Sequence, residues 1–377
     1  MLIQCTKKLL DRMKVQPQPR IEENPIFLWH ANLITMNRRQ TVILMNDQSK
    51  YVIVLYGLKG KDFSKINEWI RQAIRNVFRE EGIWEKIIDD YLHQAGDVVF
   101  TKTKDRSSVA KLNRACGDVQ FFEDLLDPDS VIQSNISFEV SRTLVGDGKN
   151  DYFQPNEKLY QDLHQWTGEE IFSMKAVELK VTLMLDKYHV WRRLIVPLHR
   201  TFQQLHDIVQ VAFSWQDYHL HEFYICDQTK PGKITSINHP SFTKEGYKPI
   251  VNLVCDEEAF AYPVDDVEMR METGIKLSEY IPKSKVLRYN YDFGDNWRHR
   301  MDVLRVIDNY KHNHPVCLAG DGKAPPEDVG GEGGYEEFLR IIENPEDPDF
   351  VHMERWVIGQ GFEEFDMERM NQMLKEK

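Results

Sequence analysis

The stretch from Tyr289 to His299 reads YNYDFGDNWRH and gathers Asp292, Asp295 and His299 into a few residues. A second stretch, APPEDVGGEGGY from Ala324 to Tyr335, adds Glu327 and Asp328 beside paired glycines. A third contributes His219, His221 and Glu222. Carboxylates and imidazoles are the donors that a divalent metal takes, and either can act as a general base. On a strand, residues two apart share a face, so His219 and His221 are expected to present both imidazoles together. Two ligands do not make a site, and the third would come from Asp292, Glu327 or Asp328.

Each stretch also has a purely structural explanation. Gly294-Asp295-Asn296 offers the residue types that a hairpin turn requires, with Asp292 capping it. The two histidines can pin neighbouring loops to a sheet, and His206 reads as a packed helix residue. Pro325-Pro326 favours extended backbone, while Gly330-Gly331 allows positive φ or close approach, as a buried structural loop would. No Lys-Ser/Thr pair follows these glycines, so the loop is not a P-loop, and its acids repel phosphate unless a metal intervenes. No residue is assigned a catalytic role, and no cofactor is expected beyond a divalent metal if these clusters hold one.

The elements that must position these groups are legible from periodicity. A chain of 377 residues with a hydrophobic fraction of 41% suits two α+β domains. The first, expected over 1–125, reads as strands at Leu2–Cys5, Phe27–Thr35, Gln40–Met45 and Tyr51–Leu58, followed by helices. Asp62 and Ser64 compete to cap the helix that starts there, and Ser107–Cys116 reads as a helix closed by Gly117. A connecting segment, 126–170, is punctuated by Asp127-Pro128-Asp129 and Gly146-Asp147-Gly148, with a strand expected at Ile136–Val140. The second domain, 171–350, alternates over Ala176–Leu185 and Val190–Val196. A helix capped by Thr201 and a strand at His221–Cys226 follow. A hairpin then turns at Gly294-Asp295-Asn296. That order suggests a β-grasp-like domain with a helix packed on a mixed sheet. A helical tail, 351–377, ends the chain.

Charge is uneven: residues 1–130 carry 20 Lys+Arg against 18 Asp+Glu, and the remainder 28 against 42. The acidic remainder is a poor duplex-DNA binder, which needs a basic face to displace counterions. In the first domain Arg38, Arg39, Arg71, Arg75 and Arg79 could form a basic strip, the last three sharing one helix face by their i, i+4, i+8 spacing. A solvated helix face explains the same spacing. Trp191, Trp215, Tyr218, Tyr224, Tyr289, Tyr291 and Trp297 could stack on bases, or they are core, with Trp191 pointing inward. The five cysteines are scattered without a C-x-x-C pair and read as reduced thiols. No apolar run reaches the length of a membrane span, and the first residues do not form a signal peptide. A cytoplasmic location is expected.

The second domain resembles the plasmid pRiA4b ORF-3-like family. The resemblance rests on VWRRLIVP (190–197), TFQQLHDIVQVAFSWQDYHLHEF (201–223), YDFGDNWRH (291–299) and PPEDVGGEGGYEEFL (325–339), in that order over roughly 175–350. The N-terminal half is similar to a small uncharacterised domain sometimes fused to it, through LIQCTKKLL and the WHANL strand. The resemblance implies a bacterial or archaeal mobile-element context and an α+β fold, and little chemistry. A serine recombinase would need an activated serine amid arginines, and no early segment has one. Three functions follow as expectations. The first is a non-enzymatic binding or interaction module of mobile or defence-related genes. The second is a metal-dependent hydrolase or nuclease using the His/Asp/Glu clusters. The third is a DNA-binding protein acting through its N-terminal domain. A protein or a nucleic acid is the partner expected, and the oligomeric state is not legible.

Overall fold

A computed structural model describes residues 1–19, 24–103, 105–146, 151–231 and 247–377. The chain is α+β and divides into two compact units, Met1–Ser173 and Met174–Lys377.

In the first unit, strands β1 (Leu2–Cys5), β2 (Leu28–Met36), β3 (Arg39–Asn46), β4 (Val52–Leu58) and β5 (Val99–Lys102) form a five-stranded sheet ordered β4-β3-β2-β1-β5. Strand β1 runs parallel to both neighbours, and the other pairs are antiparallel. Helices α1 (Lys7–Met13), α2 (Ile66–Glu80) and α3 (Glu85–Gln94) bury Leu9, Ile70, Ile74 and Ile88 against one face. Helices α4 (Arg106–Phe121) and α5 (Ser134–Arg142) bury Leu112, Val119, Ile136 and Val140 against the other.

Four local expectations are corrected. Helix α2 starts at Ile66 because a 3-10 turn, Gly60–Lys65, occupies the expected cap. Asp62 accepts from the Lys59 N–H within that turn. Helix α4 runs through Gly117, since a glycine with ordinary φ does not stop a helix whose apolar face continues to Val119. Ile136–Val140 is helical, its serines Ser137 and Ser141 donating or accepting at the edge of β4. The expected connector 126–170 belongs to the first unit. Its strands β6 (Val145–Gly146) and β7 (Tyr152–Phe153) pair, and α6 (Pro155–Thr167) buries Leu159 and Leu163 in the first core. Asp147 and Gly148 of the Gly146-Asp147-Gly148 turn lie outside the described residues.

The second unit holds an eight-stranded sheet among the described residues, ordered β12-β11-β10-β13-β14-β8-β9-β15. These are β8 (Met174–Met184), β9 (His189–Pro197), β10 (His221–Pro231), β11 (Tyr247–Val254), β12 (Glu268–Met271), β13 (Val286–Tyr291), β14 (Trp297–Tyr310) and β15 (Val316–Asp321). All pairs are antiparallel except β11 with β12, so the sheet is mixed. Helix α7 (Phe202–Phe213) begins at a capping box in which Thr201 accepts from the Gln204 N–H and Gln204 accepts from the Thr201 N–H. Its Phe202, Leu205, Ile208, Val209, Ala212 and Phe213 cover the inward face of the sheet. Later in the chain come α8 (Leu277–Tyr280), α9 (Gly331–Ile342), α10 (Phe350–Val357) and α11 (Met367–Leu374). The tail expected at 351–377 packs on this unit through Met370 and Leu374. On β9 the inward residues are Val190, Arg192, Leu194 and Val196, so Trp191 faces the other side, with the Lys180 ammonium 5.0 Å from its ring.

Candidate functional site

Three chain segments converge at one end of the second sheet. They are the coil from Trp215 to Leu220, the turn from Asp292 to Asn296 between β13 and β14, and the loop from Pro325 to Gly331. The turn is held by Asp292. Its φ is +55°, its Oδ1 accepts from Gly294 N at 2.9 Å and Asp295 N at 3.2 Å, and its own N–H donates to the Leu220 carbonyl. Asp295 then reaches across, its Oδ2 accepting from Gly330 N at 3.0 Å. Gly331 is at φ +69°, and a Cβ there would lie 2.9 Å from the Asp295 carbonyl oxygen, so the glycine permits the close approach.

Glu327 fastens the loop from inside. Fully buried, it accepts from Gln216 N at 2.7 Å, from Tyr218 N at 3.3 Å and from the Tyr291 hydroxyl. Burial and the Glu327 carboxylate both push the Tyr291 phenol up, which keeps it a donor. Trp215 Nε1 donates to the Pro325 carbonyl at 2.9 Å. The sequence-level structural reading of this loop therefore describes Glu327, whereas Asp328 points outward.

What remains open is a cluster of three. His219 Nε2 lies 2.8 Å from Asp328 Oδ1 and 3.5 Å from Asp292 Oδ2. One donor atom from each residue lies within 4.8 Å of the others. The rim beside it is apolar and exposed at Tyr218, Leu220 and Phe293.

The remaining candidates are elsewhere. His221 does not join His219, because β10 begins only at His221 and the preceding coil turns at Asp217 with φ +60°. Its Nε2 pairs with Glu272 Oε1 at 2.9 Å and its ring stacks on His206 at 3.6 Å. Burial opposes its protonation, but hydrogen bonds to Cys255 and Glu272 outweigh burial and raise its pKa to about 9. His206, held between the Tyr289 hydroxyl and Asp217, is pushed down to about 4 by burial and by the charge of His221. Glu222 faces the opposite side of the sheet and accepts from Asn252 and Asn290. His299 is fully buried against Phe213, Trp215 and Tyr289, and burial pushes it down to about 3. Sequence reasoning missed Asp217, Glu272 and Cys255. Asp217 sits two residues before His219, but nothing in the spacing ties Glu272 or Cys255 to His221.

Four of the five candidate arginines of the first unit are held by neighbours. Arg71 donates to the Gly96 and Leu92 carbonyls, Arg75 pairs with Glu85 and Asp89, and Arg79 pairs with Glu85. Arg39 donates to the Pro128 carbonyl at 2.9 Å, and Arg38 sits at φ +62° in the β2–β3 turn.

The fold is thus that of an α+β chain whose second unit pairs a helix-covered mixed sheet with a locked polar end. Residues 175–373 match the model of the plasmid pRiA4b ORF-3-like protein family, and the chain belongs to that family. Residues 2–158 match the model of a domain of unknown function, DUF6933. The chain is 31% identical over 170 residues to the uncharacterized protein y4hQ of Sinorhizobium fredii (strain NBRC 101917 / NGR234), covering 45% of this chain and 74% of that one. It is also similar to the crystal structure of a protein of unknown function, MM3350, from Methanosarcina mazei Go1. The identity is 29%, with 52% of this chain and 97% of that chain covered at a TM-score of 0.40. Among the described residues no helix is long and apolar enough to cross a membrane.

Proposed function

We propose that this chain is a non-enzymatic binding module of mobile or defence-related genes, and that its second unit engages a partner through the rim at Tyr218–Leu220, Asp292–Asp295 and Asp328. One observation carries this reading: the groups that would do chemistry are used to hold loops. Glu327, Asp295 and Asp292 Oδ1 each accept backbone N–H groups, and His221 and His299 are buried behind them. A general base must reach a substrate proton, and Glu327, Asp292, His221 and His299 are buried. The exposed aromatic and aliphatic side chains beside the cluster are what a docking surface displays.

The convergence of His219, Asp292 and Asp328 favours a second reading, a divalent-metal site serving a hydrolase or nuclease. A bound cation would stabilise the fold by mass action. Melting curves with Mn²⁺, Mg²⁺ and Zn²⁺ separate the two readings. The binding module is expected to show no metal-dependent rise. A rise that disappears in Asp328→Asn would overturn it and establish the metal site.

A further inference from the structure

The first unit contains a cavity of about 60 Å³ between its sheet and α4. The floor is apolar. Met45 and Val52 are cross-strand partners on β3 and β4, and Ala115 of α4, Val140 of α5 and Pro155, the first residue of α6, close around them. The rim is cationic. Lys111 and Arg114 stand on the same face of α4 as Ala115, by their i, i+3, i+4 spacing, and Lys50 comes from the β3–β4 turn at φ +64°. Among the lining residues the one carboxylate is Asp118, one helical turn beyond Arg114, while Asp47 stands beside Lys50 outside the lining.

Two of these cations, Lys111 and Arg114, carry no ion pair among the described residues. The third, Lys50, is shared with Asp47, to whose carbonyl its ammonium donates. Lys50 lies 3.9 Å from Asp47 Oδ1, at the limit of pairing. Its ammonium is held below the usual lysine range, first by burial, which the Asp47 carboxylate opposes and repulsion from Lys111 assists. Asp118 is pushed the other way by burial, which weakens its hold on a cation. An anion entering here would relieve the repulsion between Lys50 and Lys111, and a group of opposite sign would add to it.

We propose that this cavity is a binding site for a short aliphatic carboxylate, whose hydrocarbon lies on Met45, Val52 and Ala115 while its carboxylate meets Lys50, Lys111 and Arg114. The size excludes a large ligand. The apolar floor separates a carboxylate with a hydrocarbon tail from a bare inorganic anion, which would leave that floor wet. A ligand of so few atoms at about half the ceiling of about 1.5 kcal/mol per non-hydrogen atom binds in the millimolar range.

Butyrate, inorganic phosphate and butylamine, each titrated into the full chain at constant ionic strength by calorimetry, test the proposal. Saturable butyrate binding is expected, with phosphate and butylamine each weaker by about tenfold or more, a difference of about 1.4 kcal/mol. Lys111→Gln combined with Arg114→Gln should weaken butyrate about tenfold. Ala115→Leu, which fills the floor without touching the rim, should abolish saturation while leaving the melting temperature of the free protein near its starting value. Absence of saturable butyrate binding overturns the site. Phosphate binding as tightly as butyrate overturns the ligand class, and unchanged binding in both variants places the ligand elsewhere.

Discussion

The α2 face of the first unit and the polar end of the second unit's sheet hold charged residues in opposite ways. In the first, Arg71, Arg75 and Arg79 lie along α2 and find their partners on α3, at the surface: Arg75 Nη2 is 2.6 Å from Asp89 and Arg79 Nε is 2.8 Å from Glu85. At the polar end of the second, Glu327 and Asp292 are buried, Glu327 binding backbone N–H groups of the distant Gln216–Tyr218 coil and Asp292 those of its own turn. A surface ion pair trades water for a flexible partner and gains little, whereas a buried carboxylate that satisfies several donors cannot be removed without leaving them bare. The same residue types are therefore weakly coupled along the exposed face of α2 and structural at the buried end of the second sheet. Glu81, buried beneath Tyr51, Tyr160 and Arg142, shows that the first unit also has a carboxylate of the structural kind. The difference between the two kinds is burial, which spacing alone does not encode.

Glu327→Ala is the sharpest way to break the contrast. It strands the Gln216 amide and the Tyr291 hydroxyl proton, while the Tyr218 amide keeps the Tyr291 oxygen, and at roughly 1–3 kcal/mol per unsatisfied buried group a loss of about 2 kcal/mol or more is expected. Urea denaturation of the second unit measures it. Glu327→Gln, which keeps an acceptor, should recover part of the loss. A substitution to alanine costing less than about 1 kcal/mol would show that the loop is held by something other than this carboxylate.

Much of this arrangement was legible, and its limits have physical causes. The apolar period of Phe202 to Phe213 and its Thr201 cap gave α7 directly, because a helix face and a capping box are local features. The turn residues at Gly294-Asp295-Asn296 likewise marked the β13–β14 connection. Three errors came from non-local effects. Trp191 and Arg192 exchanged faces, because the buried guanidinium is satisfied by the Ala212, Trp191, Asp321 and Gly322 carbonyls, and a sequence does not show carbonyls. His219 and His221 separated because the strand starts at His221, two residues too late to hold both. Residues 134–142 became helical against strand-forming Ile136 and Val140, since their serines find backbone partners on β4. In the candidate site, the approach of Asp328 to His219 depends on a loop 109 residues away in sequence, which composition cannot align.

The buried histidines give a prediction of intermediate size. His299 has a folded pKa of about 3 against an ordinary value near 6.5, so it is neutral in the fold and takes a proton when the chain unfolds. Its contribution is present above the unfolded value and is lost as pH falls from about 6.5 towards 3, at about 1.4 kcal/mol per pH unit. Between pH 6.5 and pH 5 that is about 2 kcal/mol. His221 has the reverse sign: its raised pKa of about 9 contributes fully below 6.5, and that contribution fades as pH rises through 9. Urea midpoints of wild type and His299→Gln at pH 7 and pH 5 isolate the first effect. The variant should lose less stability on acidification. Parallel curves would mean that His299 is protonated in the fold.

The smallest effect belongs to the first unit's arginines and tests the other half of the comparison. Exposed pairs such as Arg75–Asp89 and Arg79–Glu85 are worth about 0.2–1 kcal/mol each, so Arg75→Ala should lower stability by less than about 1 kcal/mol. The same pairing bears on nucleic acid. A phosphate-binding strip gains affinity by releasing counterions from DNA, and arginines already matched with Glu85 and Asp89 would have to break those pairs first. Retention of the full chain on duplex DNA should accordingly be weak at low salt and unchanged in a triple Arg71→Ala, Arg75→Ala, Arg79→Ala variant. Strong retention with a steep salt dependence, abolished by those three substitutions, would show that the strip exchanges its protein partners for phosphates, and would return the DNA-binding reading to the first unit.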